Sequence, residues 1–109
     1  MLAKLEPFVT ERLTATPEQI QAYCKRWKIS EMALFGSVLR DDFRPDSDID
    51  FLVTFEPNSA WNLFDHVDMY DEMENMLGRK VDIAERRGLI NPYRRRAILR
   101  TCQTIYEAN

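Results

Sequence analysis

The amino-acid sequence predicts a single α+β domain, with α/β character, in which helices flank a small mixed β-sheet. Segments with helical periodicity alternate with short runs rich in β-branched and aromatic residues, and this alternation is typical of the class. The 109 residues suffice for one modest hydrophobic core and are too few for two. With 45% hydrophobic and 30% charged residues, the composition is that of an ordinary globular protein.

The first predicted helix begins at a capping box. Thr16 is the expected N-cap, Pro17 occupies the first helical position, and Gln19 supplies the reciprocal side chain. The apolar residues that follow share one helical face, and we expect the helix to end near Lys28. That face comprises Ile20, Tyr23, Cys24 and Trp27.

Four short segments have the composition of strands. The second of them is the longest, and the last is expected at an edge of the sheet. The predicted strands are Met32–Phe35, Ile49–Phe55, Lys80–Ala84 and Thr104–Tyr106.

A long amphipathic helix is predicted between the second and third strands. Ser59 is its expected N-cap and Gly78 its expected C′ residue. A final helix is expected from Asn91-Pro92 to about Leu99. The inner face of the long helix is predicted to comprise Leu63, Phe64, Val67, Tyr70, Met73 and Leu77.

Composition and charge argue against several classes of function. The net charge of −3 disfavours a general nucleic-acid binder, because phosphate contacts need a basic surface. No apolar run approaches the roughly 18 residues that span a bilayer, and Met1–Thr10 lacks the apolar stretch of a signal peptide. Cys24 and Cys102 lie outside any metal-ligand spacing, so no zinc site is expected. These observations predict a cytoplasmic protein without membrane or stable nucleic-acid partners.

A Gly-Ser pair follows the first predicted strand. Gly36 permits close approach of a ligand to the backbone, and the Ser37 hydroxyl and the N–H groups of the following turn would form an anion site. Arg40, one turn further on, could add a cationic contact to the same phosphate. Taken alone, the pair is more often an ordinary capped turn after a strand.

Three aspartates in the second and third predicted strands change that balance. Asp48 and Asp50 lie two residues apart, so both point to one face, with Cα atoms roughly 6.5–7 Å apart. Like charges on one face repel each other, and a hard cation such as Mg²⁺ offsets that cost by binding carboxylate and phosphate oxygens together. Asp82 can join them if its strand pairs beside Ile49–Phe55; the alternative is an exposed acid at a strand end.

Two charged stretches follow these motifs. Acidic residues crowd the predicted long helix, and six arginines crowd the last quarter of the chain. Such runs are most often solvated helix faces, but they could equally steer a charged partner or shield a polyphosphate. The arginines are Arg86, Arg87, Arg94, Arg95, Arg96 and Arg100.

Gly36-Ser37, followed after ten residues by Asp48-x-Asp50, resembles the Gly-Ser-x10-Asp-x-Asp signature of the DNA polymerase beta-like nucleotidyltransferase superfamily. More closely, it resembles the minimal nucleotidyltransferase (MNT) domains found beside HEPN proteins. The resemblance implies the nucleotidyltransferase fold, with Gly36 and Ser37 binding the triphosphate of ATP. It also implies that Asp48, Asp50 and Asp82 are the catalytic carboxylates and bind two Mg²⁺ ions.

This chain departs from many relatives after Arg40, where they carry glycine and it carries Asp41-Asp42. The nucleotide-binding role of Arg40 therefore rests on weaker ground than the role of Ser37. The two acids either weaken phosphate binding or simply face solvent.

The family resemblance also implies a biological role. MNT domains are antitoxins of HEPN ribonuclease toxins, and the expected activity is transfer of AMP from ATP to a tyrosine of a HEPN partner. The alternative is a non-catalytic antitoxin that neutralises its partner by direct complex formation. A small-molecule nucleotidyltransferase of the antibiotic-modifying kind is a weaker third hypothesis, because such enzymes usually need an additional helical domain. Homo-oligomerisation remains open.

Overall fold

The computed structural model describes residues 7–108, so the signal-peptide expectation for residues 1–6 lies outside the described part of the chain. The helices are α1 (Pro7–Leu13), α2 (Pro17–Arg26), α3 (Leu63–Leu77) and α4 (Pro92–Thr101). The strands are β1 (Ile29–Phe35), β2 (Ile49–Phe55), β3 (Val81–Glu85) and β4 (Gln103–Glu107). Two short 3-10 turns, Gly36–Leu39 and Arg86–Gly88, follow β1 and β3.

The four strands form one mixed sheet in the order β3-β2-β1-β4. β1 pairs antiparallel with both β2 and β4, whereas β2 and β3 are parallel. A parallel pair needs a crossover connection, and α3 supplies it. The α+β class with a small mixed sheet is therefore confirmed, and β4 lies at an edge as predicted.

The two faces of the sheet are covered unequally. The larger core packs β1 and β2 against α1, α2 and α3, with Phe51 and Val53 among its fully buried members. A smaller core lies on the other face, where Leu52 packs with Leu89 and with Ile98 of α4. Since side chains alternate along a strand, Asp50 faces the same side as Leu52. Asp50 therefore lies on the sparsely covered face.

Several local predictions are confirmed. The Thr16–Gln19 capping box is present at the start of α2, and Asn91 caps α4 by accepting two backbone N–H bonds. Gly78 ends α3 in the left-handed conformation, with φ of 70°. Cys24 is fully buried in the larger core, as its place on the apolar face of α2 predicted. β2 spans the predicted residues, while β1 begins three residues earlier than predicted.

Two predictions for α3 are wrong. Asn62 caps the helix in a capping box with Asp65, whereas the Ser59 hydroxyl closes a local turn by donating to the Glu56 carbonyl. The buried stripe runs through Met69, Met73 and Leu77. Leu63, Phe64 and Val67 point away from that stripe and are 76%, 79% and 51% exposed.

Helix α1 was not predicted from the sequence. Its seven residues carry only two buried side chains, Val9 and Leu13, and its stability comes from their place in the larger core. Within residues 7–108, no helix combines the length and apolarity needed to cross a bilayer.

Candidate active site

The parallel pairing of β2 and β3 places Asp50 beside Asp82. The two residues are register partners, and neighbouring strands in a sheet lie about 4.8 Å apart. Residues in register point to the same face, and both flanking residues of Asp82, Val81 and Ile83, pack towards the larger core. Asp50 and Asp82 therefore share the sparsely covered face of the sheet. Asp50 is half-buried, and Asp82 is exposed.

The Gly-Ser turn lies directly against Asp50. Phe35, the last residue of β1, is the register partner of Asp50, and Gly36 follows with φ of 78°. A Cβ atom on Gly36 would collide with Asp50 Oδ2. Glycine is needed here for two independent reasons, the left-handed backbone and the close approach of the carboxylate.

Ser37 is half-buried in the 3-10 turn that starts at Gly36. No side chain caps the start of this turn, and within the described part of the chain the Ser37 hydroxyl has no hydrogen-bond partner. The hydroxyl and the uncapped N–H groups are therefore available to an anion next to Asp50. Arg40 ends the turn, is exposed, and pairs with Asp42 at 3.1 Å. An ion pair this exposed contributes at most about 1 kcal/mol, so it holds Arg40 weakly.

The electrostatics of Asp50 reflect its acidic neighbours. Partial burial raises the pKa of the Asp50 carboxyl, and the negative charges of Asp82 and Asp48 raise it further. The positive charges of Arg40 and Arg94 act in the opposite direction. Asp48 lies one residue before β2 and is exposed. Asp48 and Asp82 are therefore both near enough to act on Asp50.

A preformed three-ligand cage is not part of this arrangement. Among residues 7–108, no group of three histidine, cysteine or acidic side chains is close enough to hold a metal ion as it stands. Magnesium is usually bound by one or two carboxylates together with substrate phosphates and water, rather than by an all-protein cage. The Asp50–Asp82 pair beside the Gly36-Ser37 turn fits that mode, because its donors are hard oxygens. Joint metal binding by Asp48, Asp50 and Asp82 stays a prediction.

Tyr70 lies beside Asp82, a contact for which the sequence holds no signal. Its hydroxyl accepts the N–H of Ile83 at 3.1 Å and lies 3.2 Å from the Ile83 carbonyl and 3.4 Å from Asp82 Oδ1. One turn further along α3, Glu74 Oε2 accepts the N–H of Val81 at 3.1 Å. Burial raises the pKa of Tyr70. Two side chains of α3 thus hold the strand that carries Asp82.

Replacing Tyr70 by phenylalanine should lower the free energy of unfolding by about 1–2 kcal/mol, because the Ile83 N–H loses its acceptor. Glu74→Gln is the matched control, since the amide oxygen can still accept from Val81. Urea unfolding of the two variants would measure the difference. Equal stability of Tyr70→Phe and the wild type would show that the hydroxyl does not hold β3.

The structure separates Arg94 from the other arginines of α4. Arg94 is the one whose charge acts on Asp50. Arg95, Arg96 and Arg100 line a shallow groove with Pro92 and Leu99. The alternatives considered for this run of arginines, a solvated face, a partner contact or a phosphate contact, need not apply to all of its members alike. Arg94 lies within electrostatic reach of the carboxylates, and a sequence run of arginines gives no means of telling which member does so.

Comparison with known proteins places this arrangement in a family. A model described as nucleotidyltransferase domain matches residues 17–105. The chain is 33% identical over 73 residues to a Methanocaldococcus jannaschii protein assigned as a protein adenylyltransferase, a match covering 67% of this chain and 73% of that protein. Protein adenylyltransferase MntA of Thermococcus cleftensis is 31% identical over 77 residues, which cover 71% of this chain and 73% of that protein.

Solved structures give the same result. One assigned as a minimal nucleotidyltransferase is 38% identical, has a TM-score of 0.65, and covers 80% of this chain and 86% of that chain. A toxin–antitoxin complex with AMP-PNP (16% identity, TM-score 0.68) covers 86% of this chain and 75% of that chain. The structure of a tri-AMPylated Shewanella oneidensis HEPN toxin in complex with MNT antitoxin has 15% identity and a TM-score of 0.61. The match covers 84% of this chain and 70% of that chain. The last two share the fold alone. The chain belongs to the nucleotidyltransferase domain family, and it is a nucleotidyltransferase.

Proposed function

We propose that this nucleotidyltransferase is a Mg²⁺-dependent protein adenylyltransferase that transfers AMP from ATP to a tyrosine of a HEPN ribonuclease toxin, and so acts as an antitoxin. The observation that carries the proposal is the register pairing of Asp50 with Asp82 against the Gly36-Ser37 turn. It brings together an anion-binding turn and two carboxylates on a face of the sheet that is open to a second molecule.

Each proposed residue has a defined task. Gly36 lets the triphosphate approach the backbone, and the Ser37 hydroxyl donates to a phosphate oxygen. Asp48, Asp50 and Asp82 would hold Mg²⁺, which when bound supplies Lewis-acid stabilisation of the charge that develops on the phosphates. The acceptor oxygen forms a bond to the α-phosphorus, the bond to the pyrophosphate oxygen breaks, and Asp82 takes the hydroxyl proton.

Arg40 and Arg94 are two cations that act on this site. Both charges act on the Asp50 carboxyl, so both side chains lie within electrostatic reach of the proposed metal site. A guanidinium is suited to binding phosphate oxygens in pairs. We assign Arg40 to the triphosphate, because it ends the turn that carries Ser37.

The exposure of the site supports a macromolecular acceptor. Asp82 is exposed on an edge strand, where a side chain of another macromolecule can reach it. The name of the Thermococcus cleftensis relative and the AMPylated HEPN toxin in the distant complex support a protein acceptor. A tyrosine hydroxyl is a feasible nucleophile once its proton is removed by Asp82.

Incubation with ATP, Mg²⁺ and a cognate HEPN protein should add one or more AMP units to that partner, as measured by intact-mass spectrometry. Ser37→Ala should slow transfer by on the order of 100-fold through loss of one phosphate donor. Asp48→Ala should slow it by about 1,000-fold through weaker metal binding. Asp71→Ala, which removes an exposed carboxylate from α3, is the matched control and should leave the rate unchanged.

A toxin that stays neutralised by Ser37→Ala and Asp48→Ala, without any change in mass, would contradict the catalytic proposal. That result would favour a non-catalytic antitoxin acting by complex formation. Ribonuclease activity of the partner, measured in the same samples, separates the two functions.

A further inference from the structure

We propose that Arg12, Phe43 and Arg79 are positioning residues. They fix two segments relative to each other: the 3-10 turn Gly36–Leu39, called the Ser37 turn, and residues 40–48, called the Asp48 loop. These three residues are called the Phe43 cluster below. The expected effect of these residues on ATP binding rests on the proposed function. Their expected effect on the order of the loop rests on geometry alone. Arg12 and Arg79 lie outside the Gly-Ser-x10-Asp-x-Asp signature, and Phe43 is one of the ten residues that the signature leaves unspecified.

Arg12 of α1 holds the end of the Ser37 turn. Its Nη1 donates to the Val38 carbonyl at 3.0 Å and to the Arg40 carbonyl at 2.6 Å. These two acceptors lie just after Ser37 along the chain, and the Arg40 N–H in turn donates to the Ser37 carbonyl at 2.9 Å. A hydrogen bond to a charged donor is about twice as strong as a neutral one. Arg12 therefore restrains the backbone that presents the Ser37 hydroxyl.

Arg79 holds the loop on the other side. Its Nη1 donates to the Ser47 carbonyl at 3.0 Å and to the Arg44 carbonyl at 3.3 Å, and Ser47 immediately precedes Asp48. The residue after Arg79 continues the connection, since the Lys80 carbonyl accepts the N–H of Ile49 at 3.1 Å. Arg79 and Lys80 thus connect the Asp48 loop to the start of the strand that carries Asp82.

Phe43 joins the two arginines. The guanidinium carbon of Arg12 lies 5.2 Å from the centroid of the Phe43 ring, and that of Arg79 lies 4.6 Å from it. Both distances are within the range of cation–π attraction, which offsets the repulsion between the two cations. The aromatic ring is therefore the element that lets two like charges hold adjacent stretches of backbone.

The loop needs this restraint because its main internal restraint is a local turn, in which the Arg44 N–H donates to the Ser47 hydroxyl and the Ser47 N–H to the Arg44 carbonyl. Most of residues 40–48 are exposed and lie outside helices and strands, and only Phe43 and Ser47 are partly buried. Exposed loops are mobile, whereas catalytic groups need to be held within about 0.5 Å. Both arginines donate to backbone carbonyls, so they act by orienting Ser37 and Asp48.

Backbone hydrogen exchange in the ligand-free protein tests the geometric half of the proposal. Two N–H groups report on these segments. The Arg40 N–H donates to the Ser37 carbonyl in the turn, and the Ser47 N–H donates to the Arg44 carbonyl in the loop. Phe43→Leu, which keeps an apolar side chain and removes the ring, should speed their exchange about 10-fold or more while leaving α3 unchanged. Phe43→Tyr should restore slow exchange. Unchanged exchange in Phe43→Leu would overturn the proposal.

Titration of ATP in the presence of Mg²⁺ tests the functional half. Phe43→Leu and Arg79→Gln should weaken binding by about 10-fold to 100-fold with little change in melting temperature, and Phe43→Tyr should recover it. Arg26→Ala is the matched control, since Arg26 also lies over an aromatic ring but belongs to α2 and pairs with the Glu72 carboxylate.

Three results would count against the positioning role or its basis. Loosened exchange with unchanged affinity would overturn positioning of the nucleotide site. If Arg26→Ala lost as much stability and as much ATP affinity as the variants of the Phe43 cluster, the cluster would contribute packing alone and have no positioning role. A wild-type protein that binds no ATP with Mg²⁺ would refute the proposed function instead, and the exchange data would then decide whether the cluster orders the loop.

Discussion

Asp50→Asn is expected to abolish metal-dependent binding of ATP and to slow AMP transfer by at least about 1,000-fold, while leaving the fold intact. The amide keeps the size of the side chain and its place beside Asp82, but it is a poor ligand for Mg²⁺. Calorimetric titration with ATP, in the presence of Mg²⁺ or EDTA, would measure the loss. Wild-type affinity that is the same with and without metal would contradict the assignment of Asp50 as a ligand.

The same variant should be more stable than the wild type in metal-free buffer at neutral pH. Burial and the charges of Asp82 and Asp48 raise the pKa of Asp50 in the folded protein. The stabilising contribution of this group is therefore complete below its unfolded pKa of about 3.9 and is lost as the pH rises through the folded pKa. The excess melting temperature of Asp50→Asn should grow between about pH 4 and pH 7.

Thermal unfolding in EDTA at a series of pH values would test this sign. The other carboxylates titrate in both proteins, so most of their contribution cancels in the difference. A melting temperature that falls on substitution at neutral pH would mean that the Asp50 carboxylate stabilises the fold. The repulsion of Asp50 by Asp82 and Asp48 would then be outweighed by the attraction of the positive charges of Arg40 and Arg94.

Gly36→Ala is expected to have the second large effect, because it combines backbone strain with a direct collision. A non-glycine residue in the left-handed region costs about 1–2 kcal/mol, and the new Cβ must also displace the Asp50 carboxylate. Stability should fall by more than the strain alone. AMP transfer should fall by on the order of 100-fold as Asp50 moves from its place beside Ser37.

The other glycines provide graded controls for this variant. Gly78 has a similar φ of 70° but no atom within 4 Å of an added Cβ, so Gly78→Ala reports the strain by itself. Gly88 has neither feature, and Gly88→Ala should be close to neutral. Denaturant unfolding and transfer rates would be compared across the three variants. If Gly36→Ala and Gly78→Ala lost stability and activity equally, the close approach of Asp50 to position 36 would not matter for function.

The elements that the sequence predicted well are those specified by local chemistry. The capping box at Thr16, the span of β2 and the left-handed Gly78 depend on neighbouring residues, and each is confirmed. The side-by-side placement of Asp50 and Asp82 was conditional on strand pairing, which the period-two pattern alone does not decide. The parallel register met that condition.

The features that sequence reasoning missed depend on contacts between distant segments. Helical periodicity identified the apolar residues of α3 but not which of them the sheet would cover, so Leu63 and Phe64 were wrongly placed in the core. The contacts of Arg12 and Arg79 with the Ser37 turn and the Asp48 loop join residues far apart in the chain. Long-range hydrogen bonds of this kind leave no pattern in a single sequence.

The hold of α3 on β3 limits how another protein can engage the site. An exposed strand edge normally invites strand addition, either by a partner peptide or by uncontrolled aggregation. Here the Val81 and Ile83 N–H groups already donate to Glu74 and Tyr70, so no incoming strand can use them. Under the proposed function, an acceptor tyrosine would therefore arrive over the face of the sheet, presented by a folded surface, and side-chain complementarity rather than main-chain pairing would set its specificity.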